Sequence, residues 1–355
     1  MIFPQTKTFL VAIPLLLAVF FSPLSLLAVS AQTSDTGLRL ITSPIPLSLS
    51  ADPGSTVKAA LKIKNDGTKK ETLKVSVLKF KAYEETGKPQ LLDPEPGDDF
   101  LKWVSFSEDP FTVEPGEWKT ITATWTLPPE AALSYYYAIF FSRADKPVVE
   151  GRQTAVVGGT AILALLEATV PNAKREVGVT DFGVGKRMYE FLPTTFRIRL
   201  QNTGNVHVAP RGNIFITQNG KDVTTLEVNP YKGNILPDSA RIFEELWTDG
   251  FPVYREKTEN GKALLDKEGY QVQELFWNWK DASKIRFGKY TAKLLLTYDD
   301  GTRDVPIEGE VSFWVMPWRL IGAGVVVLFL AGIGLKNTLQ SFWRKIRAFF
   351  KKDRK

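Results

Sequence analysis

The 355-residue chain contains no cysteine and a single histidine, His207. Without thiols it can form neither disulfides nor a thiolate metal site, and one histidine cannot supply a pair of metal ligands. A catalytic triad built on histidine would need His207 itself, which lies between a turn and a strand. We interpret His207 as a residue packed at a turn, with a base or a metal ligand as the alternative.

Net positive charge is confined to the C-terminus, although the formal net charge of the whole chain is +6. Eight lysines and arginines and one aspartate follow Leu335, so the rest of the chain is close to neutral. A protein that binds nucleic acid carries its basic patch on a folded domain. The sequence therefore predicts no nucleic-acid partner.

Motifs of catalysis are missing as well. The chain has no phosphate-binding glycine loop, no Gly-x-Ser-x-Gly motif and no zinc-protease helix motif. One loop is crowded with acidic residues that could collect Ca²⁺, but its irregular spacing favours a solvated loop. These residues are Asp93, Glu95, Asp98 and Asp99. We predict that the protein is not an enzyme, with no catalytic residue, no metal and no cofactor.

Long apolar runs are confined to the two ends of the chain. Near the N-terminus, Lys7 precedes an apolar run over residues 9–21, and small residues follow at Ala28-Val29-Ser30-Ala31. This pattern predicts a signal peptide over residues 1–31, cleaved after Ala31. An uncleaved anchor helix is the alternative.

The second apolar run predicts a transmembrane helix over residues 315–335, with a buried core helix as the alternative. Apolar residues then recur at helical spacing among the basic ones. The tail, residues 336–355, is therefore predicted to be an amphipathic helix on the inner leaflet, or else a plain stop-transfer tail. The predicted lipid contacts are Trp318, Arg319, Phe342, Trp343, Arg344, Lys345 and Arg347.

The basic tail also predicts the orientation of the chain. By the positive-inside rule the tail is cytoplasmic, so the bulk of the chain lies outside the cell. We expect a single-pass protein of the cell membrane.

The body between the apolar runs shows the period-two alternation of half-buried strands. It is clear over residues 57–63 and 135–141, and again over residues 196–200. Turn sequences such as Asp52-Pro53-Gly54 and Asn219-Gly220 separate the runs. Short strands between such turns predict β-sandwiches.

The pattern occurs twice. Asn65-Asp66-Gly67 and the strand before it are echoed by Asn202-Thr203-Gly204 and its preceding strand. We predict an all-β body of two tandem sandwiches, over residues 38–173 and 174–314, with a short joint near Pro171.

Residues 249–287 interrupt the second sandwich as a long, polar, poorly alternating insertion. Loops of this length inside a domain are usually functional or locally ordered. Its aromatic centre makes Trp277 and Trp279 candidate ligand-binding residues, although burial beneath the insertion is the alternative we favour. Tyr136 is a third candidate, because it points away from Tyr135 and Tyr137 on its strand. It could instead pack against the other sandwich.

The stretch from Asn202 to Val208, with Pro210 and Gly212 after it, resembles the second domain of the bacterial WxL-interacting proteins. The first half is similar to their peptidoglycan-binding domain at Asp52-Pro53-Gly54 and around Pro115-Gly116. The similarity covers most of residues 40–335. The resemblance implies Ig-like folds, contact with peptidoglycan, and binding of partner surface proteins.

These observations together predict a non-catalytic, membrane-anchored cell-surface protein that contacts wall glycan, a partner surface protein, or both. An architectural surface stalk without a dedicated ligand is the alternative. The first function requires a binding surface, for which we expect the insertion to supply the partner-specific part.

Overall fold

The computed structural model describes residues 37–145, 158–259 and 261–352, with side chains as far as Trp343. The predicted signal peptide and the last three residues of the tail lie outside the described residues. So do the side chains of Arg344, Lys345 and Arg347, which the sequence places among the lipid contacts.

Ten strands form the first sandwich, in two sheets that share one core. The smaller sheet has the order β1-β3-β8-β6 and the larger the order β2-β10-β9-β4-β5, with β7 added beside β4. The strands are β1 (Leu40–Ser43), β2 (Leu47–Ala51), β3 (Thr56–Asn65), β4 (Glu71–Tyr83), β5 (Lys88–Leu92), β6 (Val104–Phe106), β7 (Phe111–Val113), β8 (Trp118–Thr126), β9 (Ser134–Arg143) and β10 (Gly159–Ala168).

The second sandwich packs a three-stranded sheet, β11-β13-β16, against a five-stranded sheet, β12-β22-β21-β14-β15. Its strands are β11 (Val177–Val184), β12 (Met188–Tyr189), β13 (Thr194–Asn202), β14 (Arg211–Gln218), β15 (Lys221–Val228), β16 (Ala240–Trp247), β21 (Gly288–Asp299) and β22 (Asp304–Val315). The all-β fold predicted from the alternation is confirmed.

The insertion between β16 and β21 is ordered into two small antiparallel sheets and a 3₁₀ turn over Trp279–Lys284. Its strands are β17 (Val253–Glu256), β18 (Thr258–Glu259), β19 (Lys262–Ala263) and β20 (Gln273–Phe276), paired β17-β20 and β18-β19.

Alternating side chains build both cores. In β3, Leu61 and Ile63 are fully buried while the intervening lysine is exposed. In β13, Phe196, Ile198 and Leu200 are likewise fully buried at alternate positions. Each core also contains one large buried indole, Trp125 in the first sandwich and Trp247 in the second. Period two on a pleated strand places such residues on one face.

The Asn219-Gly220 turn is the hairpin that its sequence predicts. It joins β14 to β15, which pair from Gln218 and Lys221 onward. Both turn residues have positive φ, 49° and 74°, as a two-residue turn of this kind requires.

A single helix, α1 (Trp318–Lys352), follows β22. In the part of the chain that the structure describes, it is the one helix long and apolar enough to cross a membrane, over 26 residues, Trp318–Trp343, with a mean hydropathy of 2.0. At 1.5 Å per residue this span is about 39 Å long, more than a hydrocarbon core of ~30 Å. The helix continues without a break past residue 335, where the predicted tail begins.

Candidate functional site

The outward face of the larger sheet in the first sandwich is apolar, which is unusual for a sheet face that does not line a core. Phe80, Ala138 and Leu165 are buried there and form a separate cluster outside the main core. Leu236, from the loop between β15 and β16 of the second sandwich, packs against this cluster. The second sandwich therefore covers part of the face.

The sequence of β10 explains this apolar face. Residues 161–166 are apolar without interruption, so the strand cannot expose one face to water as β3 does. Ile162, Ala164 and Leu166 enter the core, and Leu163 and Leu165 point outward. Uninterrupted apolar strands are typical of sheets covered on both faces.

The second sandwich leaves part of the face open as a groove between the two sandwiches, with a cavity of about 250 Å³. We call it the inter-sandwich groove. The first sandwich contributes mainly apolar side chains, and the second contributes an aromatic ring and a guanidinium. Its principal lining residues are Ile45, Pro46, Phe80, Pro89, Leu163, Tyr231 and Arg241.

Two of these apolar side chains are unusually exposed. Tyr231 is 92% exposed and Ile45 is 64% exposed, one from each sandwich. A large exposed apolar side chain at the mouth of an apolar cavity is a common feature of binding sites.

Arg241 carries the only positive charge that the second sandwich contributes to the lining of the groove, as far as the described residues go. Its guanidinium lies between Gly87 and Gly233, where a methyl group on either glycine would overlap it. Nη1 donates a hydrogen bond to the carbonyl of Asn234 at 3.0 Å. The two sandwiches thus hold the group from both sides.

No carboxylate neutralises Arg241 among the described side chains, and its buried Nε has no hydrogen-bond partner there. Partial burial lowers the pKa of Arg241 below its usual value, because desolvation disfavours the charged form. Arginine stays protonated in proteins even so. The guanidinium also lies 4.9 Å from the centroid of the Phe243 ring. The groove therefore presents a partly desolvated cation without a carboxylate partner among the described residues, beside mainly apolar side chains.

Hydrogen bonds and an ion pair connect the two sandwiches near the groove. Arg199 of β13 donates from Nε and Nη2 to Glu85 of the β4–β5 turn, at 2.9 and 2.6 Å. The hydrogen bonds from this guanidinium lower the pKa of Glu85. The amide of Ile242 also donates to the carbonyl of Glu85 at 2.9 Å.

Tyr136 and His207 meet at the same joint, with ring centroids 5.9 Å apart and a perpendicular orientation. Burial lowers the pKa of His207 to about 4, with a smaller contribution from the charge of Arg175. Arg175 is itself paired with Glu167 of the first sandwich. His207 is thus a neutral, partly buried packing residue at this joint.

Of the three candidate ligand-binding residues, Tyr136 lies next to the groove. Its ring is 5.8 Å from that of Phe80, one of the lining residues. Trp277 and Trp279 lie in the insertion and do not line the groove. Their rings stack on each other at 5.9 Å and both contact Phe251. Trp279 is 73% exposed and Trp277 is partly exposed, so the burial that we favoured for them is wrong.

The predicted anchor residues with described side chains lie along α1. Trp318, Phe342 and Trp343 are exposed. Arg319 pairs with Glu190 of the second sandwich at 3.5 Å. That contact joins the start of the helix to the body.

In the acidic loop around Glu95 and Asp98, a lysine side chain lies between the carboxylates. Lys79 lies 2.5 Å from Glu95 and 2.8 Å from Asp98. The hydrogen bond from Lys79 lowers the pKa of Asp98. An ammonium thus occupies the position between these two carboxylates.

Sequence reasoning missed the groove. Its lining comes from segments far apart in the chain, around residues 45, 80, 163 and 231–241. The uninterrupted apolar run in β10 was a usable signal, because it indicates a strand covered on both faces. The sequence did not indicate Arg241 as a binding residue, since an arginine in an alternating strand normally faces solvent.

No family model and no curated protein matches the chain. Solved structures match the chain at low similarity. The class 5 fimbriae chaperone CfaA is 16% identical, with a TM-score of 0.32, over 67% of this chain and 99% of that one. The E. coli chaperone DraB is 14% identical, with a TM-score of 0.30, over 77% and 98%.

A structure of the Salmonella enterica SafA pilin with the SafB chaperone is 11% identical, with a TM-score of 0.30, over 77% and 97%. At this similarity the likeness concerns the fold alone.

The comparisons correct the resemblance to WxL-interacting proteins, which is wrong. No family model matches, and the solved structures named above are of fimbrial chaperones. The function predicted with it, a membrane-anchored cell-surface protein that contacts wall glycan or a partner surface protein, is wrong on the same findings. The alternative of a surface stalk is wrong as well, and no finding supports contact with peptidoglycan.

Proposed function

We propose that this chain is a polypeptide-binding protein whose ligand lies in the inter-sandwich groove. The observation that carries the proposal is the partly buried guanidinium of Arg241, which has no carboxylate partner among the described residues, inside a mainly apolar groove. An unpaired charge in such a place costs free energy unless a ligand neutralises it.

The lining favours a polypeptide over a glycan. Apart from Lys81 and Lys88, the wall from the first sandwich consists of aliphatic residues, a glycine and the ring of Phe80, with few groups that could pair with sugar hydroxyls. Apolar side chains of a peptide would displace water from Ile45, Phe80 and Leu163 and extend toward Tyr231.

The chemistry that suits Arg241 is a carboxylate, which a guanidinium binds with paired hydrogen bonds. In a polypeptide the carboxylate belongs either to an aspartate or glutamate side chain or to the C-terminus. The ligand would thus combine one carboxylate with neighbouring apolar residues.

The chain would act from a membrane. Support comes from the length and apolarity of α1 and from the basic residues that follow it. Together with the signal-peptide pattern they favour an exported body and a cytoplasmic tail, and hence a single-pass membrane protein. The missing catalytic motifs favour binding without catalysis.

The test is peptide binding by the full chain in phospholipid nanodiscs. The probe is an array of twelve-residue peptides that combine apolar residues with aspartate or glutamate, each made with a free and with an amidated C-terminus. We expect wild type to retain a subset of them, and Arg241→Gln to weaken their binding at least about tenfold, because the ligand carboxylate loses its partner.

Arg211→Gln is the matched control, since Arg211 is exposed on β14 and does not line the groove. It should bind like wild type, and melting curves should show that both variants are folded. Loss of binding on amidation would identify the C-terminus as the source of the carboxylate. If no peptide is retained, or if Arg241→Gln binds as tightly as wild type, the proposal is wrong.

A further inference from the structure

Exposed aromatic and apolar side chains gather at one end of the second sandwich, the end from which α1 leaves. We call this set the α1-proximal rim. Ile285 is 56% exposed and Phe287 is 54% exposed. The rim consists of Trp277, Trp279, Ile285, Phe287 and Trp314.

Strand register places Ile285 and Phe287 beside the start of the helix. Gly288, the first residue of β21, pairs with Val315, the last residue of β22. Phe287 immediately precedes Gly288, and α1 begins three residues after Val315. These two apolar side chains therefore lie at the same end of the sheet as the helix.

Backbone contacts bring the tryptophans to this end as well. Phe251, whose ring contacts both indoles, donates its amide to the carbonyl of Lys284 at 3.0 Å. Close by, Tyr254 donates its amide to the carbonyl of Leu192 at 2.8 Å.

Residues near Leu192 reach the helix. Glu190, two residues before Leu192, pairs with Arg319 in the first turn of α1. The hydroxyl of Tyr254 lies 3.4 Å from the same carboxylate. The insertion is thus linked through Glu190 to the beginning of the helix.

Four charged side chains beside the rim are paired with each other. Asp249 accepts from Arg286 at 2.5 Å and lies 2.8 Å from Lys284, which also lies 3.0 Å from Asp281. Paired charges lose less free energy than isolated ones when they leave bulk water. These four side chains therefore oppose the approach of the rim to a membrane surface less than unpaired charges would.

We propose that the α1-proximal rim lies in the headgroup region of the bilayer that α1 enters. This goes beyond the peptide site, but it rests on the membrane crossing proposed above. Tryptophan and other amphipathic aromatic residues favour the interface between membrane and water, where the ring is in an apolar layer and its N–H is hydrated.

The position of the rim identifies lipid as its partner. A bilayer crossed by α1 begins near the first residues of the helix, and the rim lies beside these residues. Seating the rim in lipid would cover its apolar side chains and restrict the tilt of the body, because interfacial anchors set tilt. The inter-sandwich groove would then be held at a defined orientation to the membrane.

The absence of cysteine makes the test direct, because each label site is unique. Four single-substitution variants of the full chain would be labelled with the fluorophore NBD: Ile285→Cys, Phe287→Cys, Trp118→Cys and Val326→Cys. They are reconstituted in vesicles of phosphatidylcholine and phosphatidylglycerol, with and without lipid that carries a spin label near the headgroup. No other protein is present, so quenching reports lipid alone.

Labels at 285 and 287 should lose at least about half of their fluorescence and shift to the blue. Trp118, which is 51% exposed at the opposite end of the first sandwich, is the matched control and should be unquenched. Val326 lies inside α1, and a blue shift of its label reports the membrane crossing, because the fluorophore then lies in the hydrocarbon core. A blue shift at 326 with no quenching at 285 and 287 overturns the rim proposal while leaving the anchor intact. No blue shift at 326 overturns both.

Discussion

The first and second sandwiches contain the same asparagine turn but expose different surfaces. Asn65 is fully buried, donates from Nδ2 to the carbonyls of Lys69 and Val113, and accepts from the amide of Gly67. Asn202 is fully buried, donates to the carbonyls of Val206 and Ile235, and accepts from the amide of Gly204.

The difference between the sandwiches lies outside their cores. The first has an apolar outward sheet face that the second covers in part, and the second has an insertion and an aromatic rim beside α1. Two similar frameworks thus support different surfaces. We infer that the turn and the core specify the fold, while the outward face and the insertion determine what each sandwich binds.

The largest expected loss of stability tests whether the two cores are equivalent. Trp125→Ala and Trp247→Ala should each lower the free energy of unfolding by about 3–5 kcal/mol, since each removes a buried indole and leaves a cavity. Denaturation in urea, followed by circular dichroism, measures this. Trp118→Ala should change it by less than about 0.5 kcal/mol. A large loss in one sandwich alone would show that their frameworks differ.

The joint between the sandwiches should respond to acid through His207. Its pKa in the folded protein is about 4, below the ordinary value of 6.5. The unfolded chain therefore binds a proton first as the pH falls from 6.5 to 4. Stability that is complete above pH 6.5 should decrease over this range by up to about 3 kcal/mol.

The His207→Gln variant isolates this effect, because the carboxylates titrate in both proteins. Tyr136 and the Arg175–Glu167 pair, which surround His207, are also unchanged in it. Unfolding free energies measured at pH 7 and pH 4.5 should differ more in wild type than in the variant. Equal differences would show that His207 does not titrate on unfolding.

The asparagine turns provide the most direct comparison between the sandwiches. Asn65→Ala and Asn202→Ala each remove three hydrogen bonds made by a fully buried side chain, so each should cost about 2–3 kcal/mol. Thermal melting of the two variants, beside Asp66→Ala at an exposed position, measures this. A loss of stability in only one of the two variants would mean that the turns share their geometry but contribute different free energies to folding.

The smallest effect is expected at the ion pair across the joint. Arg199 and Glu85 are both solvent-accessible, and exposed pairs contribute little. A double-mutant cycle with Arg199→Ala and Glu85→Ala should give a coupling close to the error of melting measurements and smaller still at high salt. A strong coupling would show that this pair, rather than the apolar cluster around Leu236, holds the sandwiches together.

Much of the framework could be predicted because it depends on local patterns. Alternation in β3 and β13, the echo around Asn65 and Asn202, and the Asn219-Gly220 turn are all visible within short windows of sequence. The strands inside the insertion were not predicted, since β18 and β19 have only two residues each and no alternation to detect.

The binding surface could not be predicted for a different reason. The groove exists only where Leu163 of one sandwich meets Arg241 of the other, and no local pattern records that contact. The aromatic centre of the insertion was visible, but its position beside the helix depends on pairing between β21 and β22. Long-range pairing determines both surfaces.

One measurement tests the groove most directly. Ala82 lines the groove and Lys58 is exposed on β3, away from it. The variants Ala82→Cys and Lys58→Cys would each be blocked with fluorescein maleimide, and binding of a peptide retained by wild type would be measured in nanodiscs. We predict that the label at 82 abolishes binding and that the label at 58 does not. Undiminished binding with the groove blocked at 82 would contradict the assignment of the groove as the polypeptide site.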